Sequence, residues 1–256
     1  MNGHSMIASD GNAGTLVLGD NEIIPEWKEE TISDDKPDDS LYVDAYRITT
    51  LNGVRRSAIV ENLGVLKGTG SIKEYLMVRH GGVVSPGLSP GCMTVGTILE
   101  LYGEYQFEAH DGTACSGYDQ LKVGGIVRLT EESNEDNPNP KSGKLNVSLL
   151  DGYNLPTGTV MTIIDNQGNE AVKGTFEGLP EGATIKGPNG AVLKISYVGG
   201  DGNDVTLTVI TAGTPDTGFG LLLNNPMVVL GATTVAAGAI LVISRRTKLA
   251  AQRVRR

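Results

Sequence analysis

Histidine, cysteine and tryptophan are scarce in the 256 residues: three His, two Cys and one Trp. Three His leave little for a multi-histidine metal centre. Two Cys exclude a disulfide-dense scaffold and a four-cysteine zinc site. Aromatic residues make up only 5%. Amphipathic helical periodicity is not convincing anywhere before residue 226. A Walker loop, GxGxxG after a strand, HExxH and GxSxG are also missing, which removes the chemistries those motifs carry. What is plentiful is glycine, at 35 residues, joined by 11 Pro. That share is well above the average for globular chains, yet 39% hydrophobic content is too high for a disordered one.

Charge is unevenly placed. The chain carries a net −9, but six of its 21 Lys and Arg fall in Arg245–Arg256, which holds no acid. The remainder is therefore more acidic than the total, repels phosphate backbones and is not expected to bind nucleic acid.

Residues 15–125 are punctuated by Gly and by short β-prone runs: Thr15–Leu18, Tyr42–Thr50, Ser57–Val60, Gly64–Leu66, Ile72–Arg79, Met93–Leu101 and Gln106–His110. Such irregular spacing suits solenoid rungs better than hairpins of a sandwich. An acidic loop is expected at 21–40 (Ser33-Asp34-Asp35-Lys36-Pro37-Asp38-Asp39-Ser40 at its centre), within rungs spanning 1–125. A strand and an acidic, Pro-rich loop follow over 126–142. Residues 143–210 alternate best, in KLNVSLL (144–150), VMTII (160–164), VLKISY (192–197) and VTLTVI (205–210). They read as antiparallel strands of a β-rich cap sealing an otherwise open end.

The phrases VVSPGLSPGCMTV (83–95), GYDQLKV (117–123), TIIDN (162–166), GTFEGL (174–179) and ISYVGGDGNDVTLT (195–208) resemble the C-terminal end of bacterial β-helix surface proteins, including autotransporter passengers and related adhesins. The likeness covers roughly residues 60–210. It implies an all-β fold, a right-handed single-stranded β-helix with a C-terminal cap, and a stalk or adhesin role without turnover. A monomer contacting an unidentified surface ligand, with no cofactor, is the expectation. A surface polysaccharide-degrading β-helix enzyme and a purely structural envelope protein are the alternatives.

Thr214-Pro215-Asp216-Thr217-Gly218, an apolar stretch and a basic end resemble the sorting signal of sortase-anchored proteins. The resemblance implies cleavage between Thr217 and Gly218 and joining to the wall. Thr214 departs from the Leu usual there. Pro226–Ser244 has no charge and is long enough, as a helix, to match a bilayer core. One transmembrane helix is thus expected over 219–244, after a linker over 211–218. Arg245, Arg246 and Lys248 would stop transfer and open a cytoplasmic tail over 245–256, leaving the body outside. Sortase, the wall or a lipid bilayer are the expected partners. Met1–Asp20 lacks the basic and apolar regions of a signal peptide. Beside an exported body, that reads as the C-terminal part of a longer protein.

Four chemical candidates remain. Cys92 and Cys115, in an exported domain with an even cysteine count, are expected to pair. Asp201 and Asp204, in Gly199-Gly200-Asp201-Gly202-Asn203-Asp204, form a weak calcium candidate, since only one copy of a motif that works by stacking is present. Glu131–Lys141 (EESNEDNPNPK) is a second weak calcium candidate. Asp111, Asp119, Asp151 and Asp165 are the acids that an enzyme reading would draw on, with no basis for choosing a pair.

Overall fold

The computed structural model describes residues 17–18, 22–23, 25–150 and 153–213. In chain order the strands are β1 (Val17–Leu18), β2 (Glu22–Ile23), β3 (Lys28–Ile32), β4 (Lys36–Val43), β5 (Arg47–Leu51), β6 (Val54–Val60), β7 (Val65–Gly68), β8 (Ser71–Val78), β9 (Val83–Pro86) and β10 (Cys92–Val95). They continue as β11 (Ile98–Leu101), β12 (Glu104–Ala109), β13 (Gln120–Val123), β14 (Ile126–Arg128), β15 (Lys144–Leu149), β16 (Val160–Asn166), β17 (Thr184–Lys186), β18 (Val192–Gly199) and β19 (Asp204–Thr211). β1 and β2 form a small antiparallel pair.

Two larger sheets hold the rest. One has six strands in the order β15-β12-β9-β7-β5-β3, every pair parallel. The other has eleven strands and is parallel from β4 to β16, then antiparallel through β19, β18 and β17. From β3 to β10 the chain alternates between the sheets strand by strand. Within the larger sheet β8 serves two rows: Ser71 and Ile72 pair with β10, and Tyr75–Val78 pair with β11.

The parallel register sets identical faces above one another. Val43, Val60, Val78 and Leu101 occupy one inward column and are fully buried. Ala58, Leu76, Leu99 and Val127 form a second. Each such Val or Leu contributes about 1.5–3 kcal/mol by leaving water. Alternate residues point outward, giving the inside-outside pattern of β8 and β12. Tyr105 and Phe107 of β12, with Phe176, are the largest fully buried side chains among the described residues, and the Tyr105 hydroxyl donates to the Ile163 carbonyl at 3.0 Å.

Glycine abundance has a local cause at the corners. A Cβ on Gly103 would run into the carbonyl oxygen of Gly82 in the preceding turn, and one on Gly124 into that of Gly96. Successive turns lie too close for any side chain at these points.

Several expectations are corrected. Residues 21–40 are not an uninterrupted loop: β3 and most of β4 fall there. Both lie on the outer edge of their sheets, where Pro37 needs no ladder partner and Asp38 and Asp39 face solvent. Asp34 earns its place by binding Arg55, whose buried guanidinium ends an inward column. The right-handed single-stranded β-helix is also set aside. The described residues form two sheets, one wholly parallel and one mixed, with strands of two to eight residues. A chain with no fixed repeat length does not lay down uniform rungs. Among the described residues no helix is long and apolar enough to cross a membrane. The only helical element described is a three-residue 3-10 turn, Pro188–Gly190, in a chain otherwise given to strands and Gly turns. The expected transmembrane helix, and the single-pass anchoring with an extracellular body that depended on it, therefore have no support. Residues 219–244, Arg245, Arg246, Lys248 and the sorting motif 214–218 lie outside the described residues.

Candidate functional site

The sequence candidates scatter. The structure joins Cys92, at the start of β10, to Cys115, in the β12–β13 loop, with Cα atoms 4.8 Å apart. Close by, Asp119 is fully buried and its carboxylate accepts the backbone N–H of Gly91 at 2.7 Å and of Glu108 at 2.9 Å. Burial outweighs those two donors and pushes Asp119 up to about 7. It ties Gly91, just before β10, to Glu108 of β12. Asp111 caps its own turn, accepting the Thr113 N–H at 2.8 Å, and that bond holds its carboxyl low. Asp165 accepts the Gln167 amide at 3.1 Å, and Asp151 lies outside the described residues.

Asp204 accepts the Asn166 N–H at 2.8 Å, and Asn203 donates to the Gly168 carbonyl at 2.8 Å. These bonds tie the β18–β19 turn to the turn after β16. Asp201 stands exposed at the tip. Among the described residues no group of three or more His, Cys, Asp or Glu is placed to hold a metal ion. In the 131–141 loop, the Glu131 carboxylate is taken up by the Asn137 side chain at 3.0 Å and the Lys141 N–H at 3.1 Å.

A different set of residues converges on a groove. It has a wider part of about 760 Å³ and a narrower part of about 410 Å³, and His80 and Tyr102 line both. One wall is the corner where the chain turns from the larger sheet into the parallel one. There the corner glycines stack: the carbonyls of Gly64, Gly82 and Gly103 accept the N–H of Val83, Glu104 and Lys144 at 2.9, 2.9 and 2.8 Å. The 140–144 and 175–180 segments complete the groove's lining.

Three carboxylates along the groove meet a basic side chain. Glu61 meets Arg79 at 3.0 Å, and Glu177 meets Lys144 at 3.6 Å. Glu131 meets His80 Nε2 at 2.9 Å, which ties the 131–141 loop to the corner. Burial pushes Glu131 up, but the Lys141 N–H, the Asn137 amide and His80 together hold it below the usual value. Glu104 accepts the side-chain amides of Gln106 and Asn146 at 3.2 and 3.3 Å. Tyr102 is half-buried between the two parts. Burial, with the charge of Glu100 behind it, pushes its phenol up to about 12, so it stays a neutral hydroxyl.

Of the groove residues, Glu131 and Lys141 lie in the 131–141 loop, a calcium candidate from the sequence, and 175–179 lie in the GTFEGL phrase, while His80, Tyr102, Asn62 and Ser142 do not stand out there, because each is ordinary alone. One signal was available: Asn62-Leu63-Gly64, His80-Gly81-Gly82, Tyr102-Gly103 and Ser142-Gly143 each place a polar or aromatic residue just before a corner glycine. No protein-family model matches the chain, and no curated protein matches it.

Proposed function

We propose that this chain is a non-catalytic binding and spacer module of the adhesin type. The parallel ladders supply stiffness, because the strands between the sheet edges are held by neighbours on both sides around a continuous core. One observation carries the choice against an enzyme: each of the four carboxylates lining the groove is engaged by a cation or an amide. General acid–base work needs a carboxyl with a raised pKa facing the substrate. The two acids pushed upward, Asp119 and Asp204, are instead buried in strand-to-strand contacts.

The test is incubation of the oxidised protein with a panel of plant, bacterial and animal polysaccharides. Release of reducing ends and of unsaturated products is followed over days, and retention on the insoluble polymers is measured in parallel. The expected result is retention without turnover. Turnover that disappears in Glu131→Gln or Glu104→Gln would overturn the reading.

A further inference from the structure

The two parts of the groove share Tyr102 and His80 in their linings and so lie side by side. From its lining we infer that the groove binds a neutral oligosaccharide, with Tyr102 as the stacking platform between two sugar subsites. This inference rests on the binding-module reading and adds the chemical class of the ligand.

Three observations lead to that class. The first is charge. Glu61 and Glu131 are already met by Arg79 at 3.0 Å and His80 at 2.9 Å, and the lining gathers no cluster of one sign, Lys141 being the one lining cation without a carboxylate partner among the described residues. The second is the state of the backbone. A peptide that adds a strand needs unpaired main-chain groups. Around Tyr102 they are consumed: Tyr102 and Gly103 N–H both donate to the Val78 carbonyl, the Gly82 and Gly103 carbonyls are taken by Glu104 and Lys144, and Lys141 N–H and C=O both close on Glu131. Recognition at Tyr102 is left to side chains. The third is the lining itself. Tyr102 offers a half-buried ring face and a hydroxyl held neutral, while Asn62 and Ser142 lie on either side of it along the corner, in the narrower and wider parts. A pyranose alternates apolar C–H faces with a rim of hydroxyls, which matches a ring flanked by neutral donors and acceptors. The wider part, at about 760 Å³, is of the size that small ligands occupy, about 300–1,000 Å³.

The experiment uses the full oxidised chain and calorimetric titration with neutral probes: maltotriose, cellotriose, mannotriose, chitotriose and their pentamers. At least one should bind saturably, with a Kd that changes less than about twofold between low and high salt, because no ion pair forms or breaks on binding. Tyr102→Ala should weaken binding about tenfold or more, the scale expected for a stacked aromatic anchor, while Tyr102→Phe should stay close to the parent. Ser142→Trp, which fills the wider part and leaves Tyr102 in place, should abolish binding and provides the readout if Tyr102→Ala unfolds. Three outcomes would overturn the inference: no saturable binding by any probe, binding untouched by Tyr102→Ala and Ser142→Trp, or preferential binding of uronic-acid oligomers with steep salt dependence. Binding of extended decapeptides but of no glycan would also overturn it, and would leave the binding-module reading standing. Glycan binding followed by turnover would support the site and sink the non-catalytic reading.

Discussion

Cutting the Cys92–Cys115 bond should cost the fold about 3 kcal/mol. The bond closes a loop spanning 23 residues in sequence, and in the chain-entropy account a closure of that length removes about that much freedom from the unfolded state. The native side of the balance should change little. Both cysteines are only partly buried, so Cys92→Ser with Cys115→Ser opens no sealed cavity. The loop also has other holds: His110 N–H to the Gly117 carbonyl at 2.6 Å, Cys115 N–H to that of Tyr118 at 2.9 Å, and the buried Asp119 carboxylate on Gly91 and Glu108. With the folded loop so fixed, the loss falls on the unfolded ensemble, which becomes freer to expand. The assay is urea unfolding of the parent and the double variant. At slopes of about 1–3 kcal/mol per molar urea, the midpoint should fall by about 1–3 M. The slope itself should rise slightly as the uncrosslinked chain exposes more surface. A thermal scan should show a drop of about 6–12 °C. A loss below about 1 kcal/mol at unchanged slope would refute the reasoning, since it would mean that the bond barely restricts the unfolded chain.

Asp119 should give stability a pH slope of the less usual sign. Its folded pKa, near 7, lies above the ordinary value of 3.8, so its contribution is complete below about pH 4 and is lost as pH rises through 7. Three units correspond to about 4 kcal/mol, and comparing urea midpoints of the parent and Asp119→Asn across pH 4–8 checks it: the slope should be markedly smaller in the variant, with the part due to Asp204 remaining. Asp34 runs the other way. Its hydrogen bond to Arg55, then that to Lys36, holds it at about 2, so its contribution is present above pH 4 and fades as pH falls through 2; Asp34→Asn should flatten that acid limb. Tyr105→Phe leaves the buried Ile163 carbonyl without its donor and should cost about 1–2 kcal/mol by the same unfolding assay. Gly124→Ala sets a methyl against the Gly96 carbonyl and should cost about 1–3 kcal/mol, a loss that Ser at 124 should not relieve.

What could be read in advance divides by the range of the interaction. Strands such as β8, β12 and β18 are written in their own alternation, since one face of each is buried wherever the strand sits. Edge position is not local. Lys36-Pro37-Asp38-Asp39 has the composition of a loop, and only the absence of a neighbour beyond β4 lets it be a strand. Nor is sheet membership local: β10 and β11, three residues apart, both pair with β8, and nothing in Val95-Gly96-Thr97-Ile98 announces it. The groove shows the same limit more sharply. His80 and Glu131 are 51 positions apart, and their 2.9 Å contact exists because β9, β12 and β15 stack in register and bring successive corners into line. A repeat of fixed length would have revealed that stacking as periodicity. Here the corner glycines recur at uneven intervals, at 64, 82, 103 and 143, because the β12-to-β15 step carries the disulfide-closed loop and the 131–141 loop as insertions. The second of these insertions also builds the groove, since the 131–141 loop closes on His80 and Ser142 follows at its end. The feature that hid the architecture from the sequence is therefore the one that gives this corner a wall to bind against.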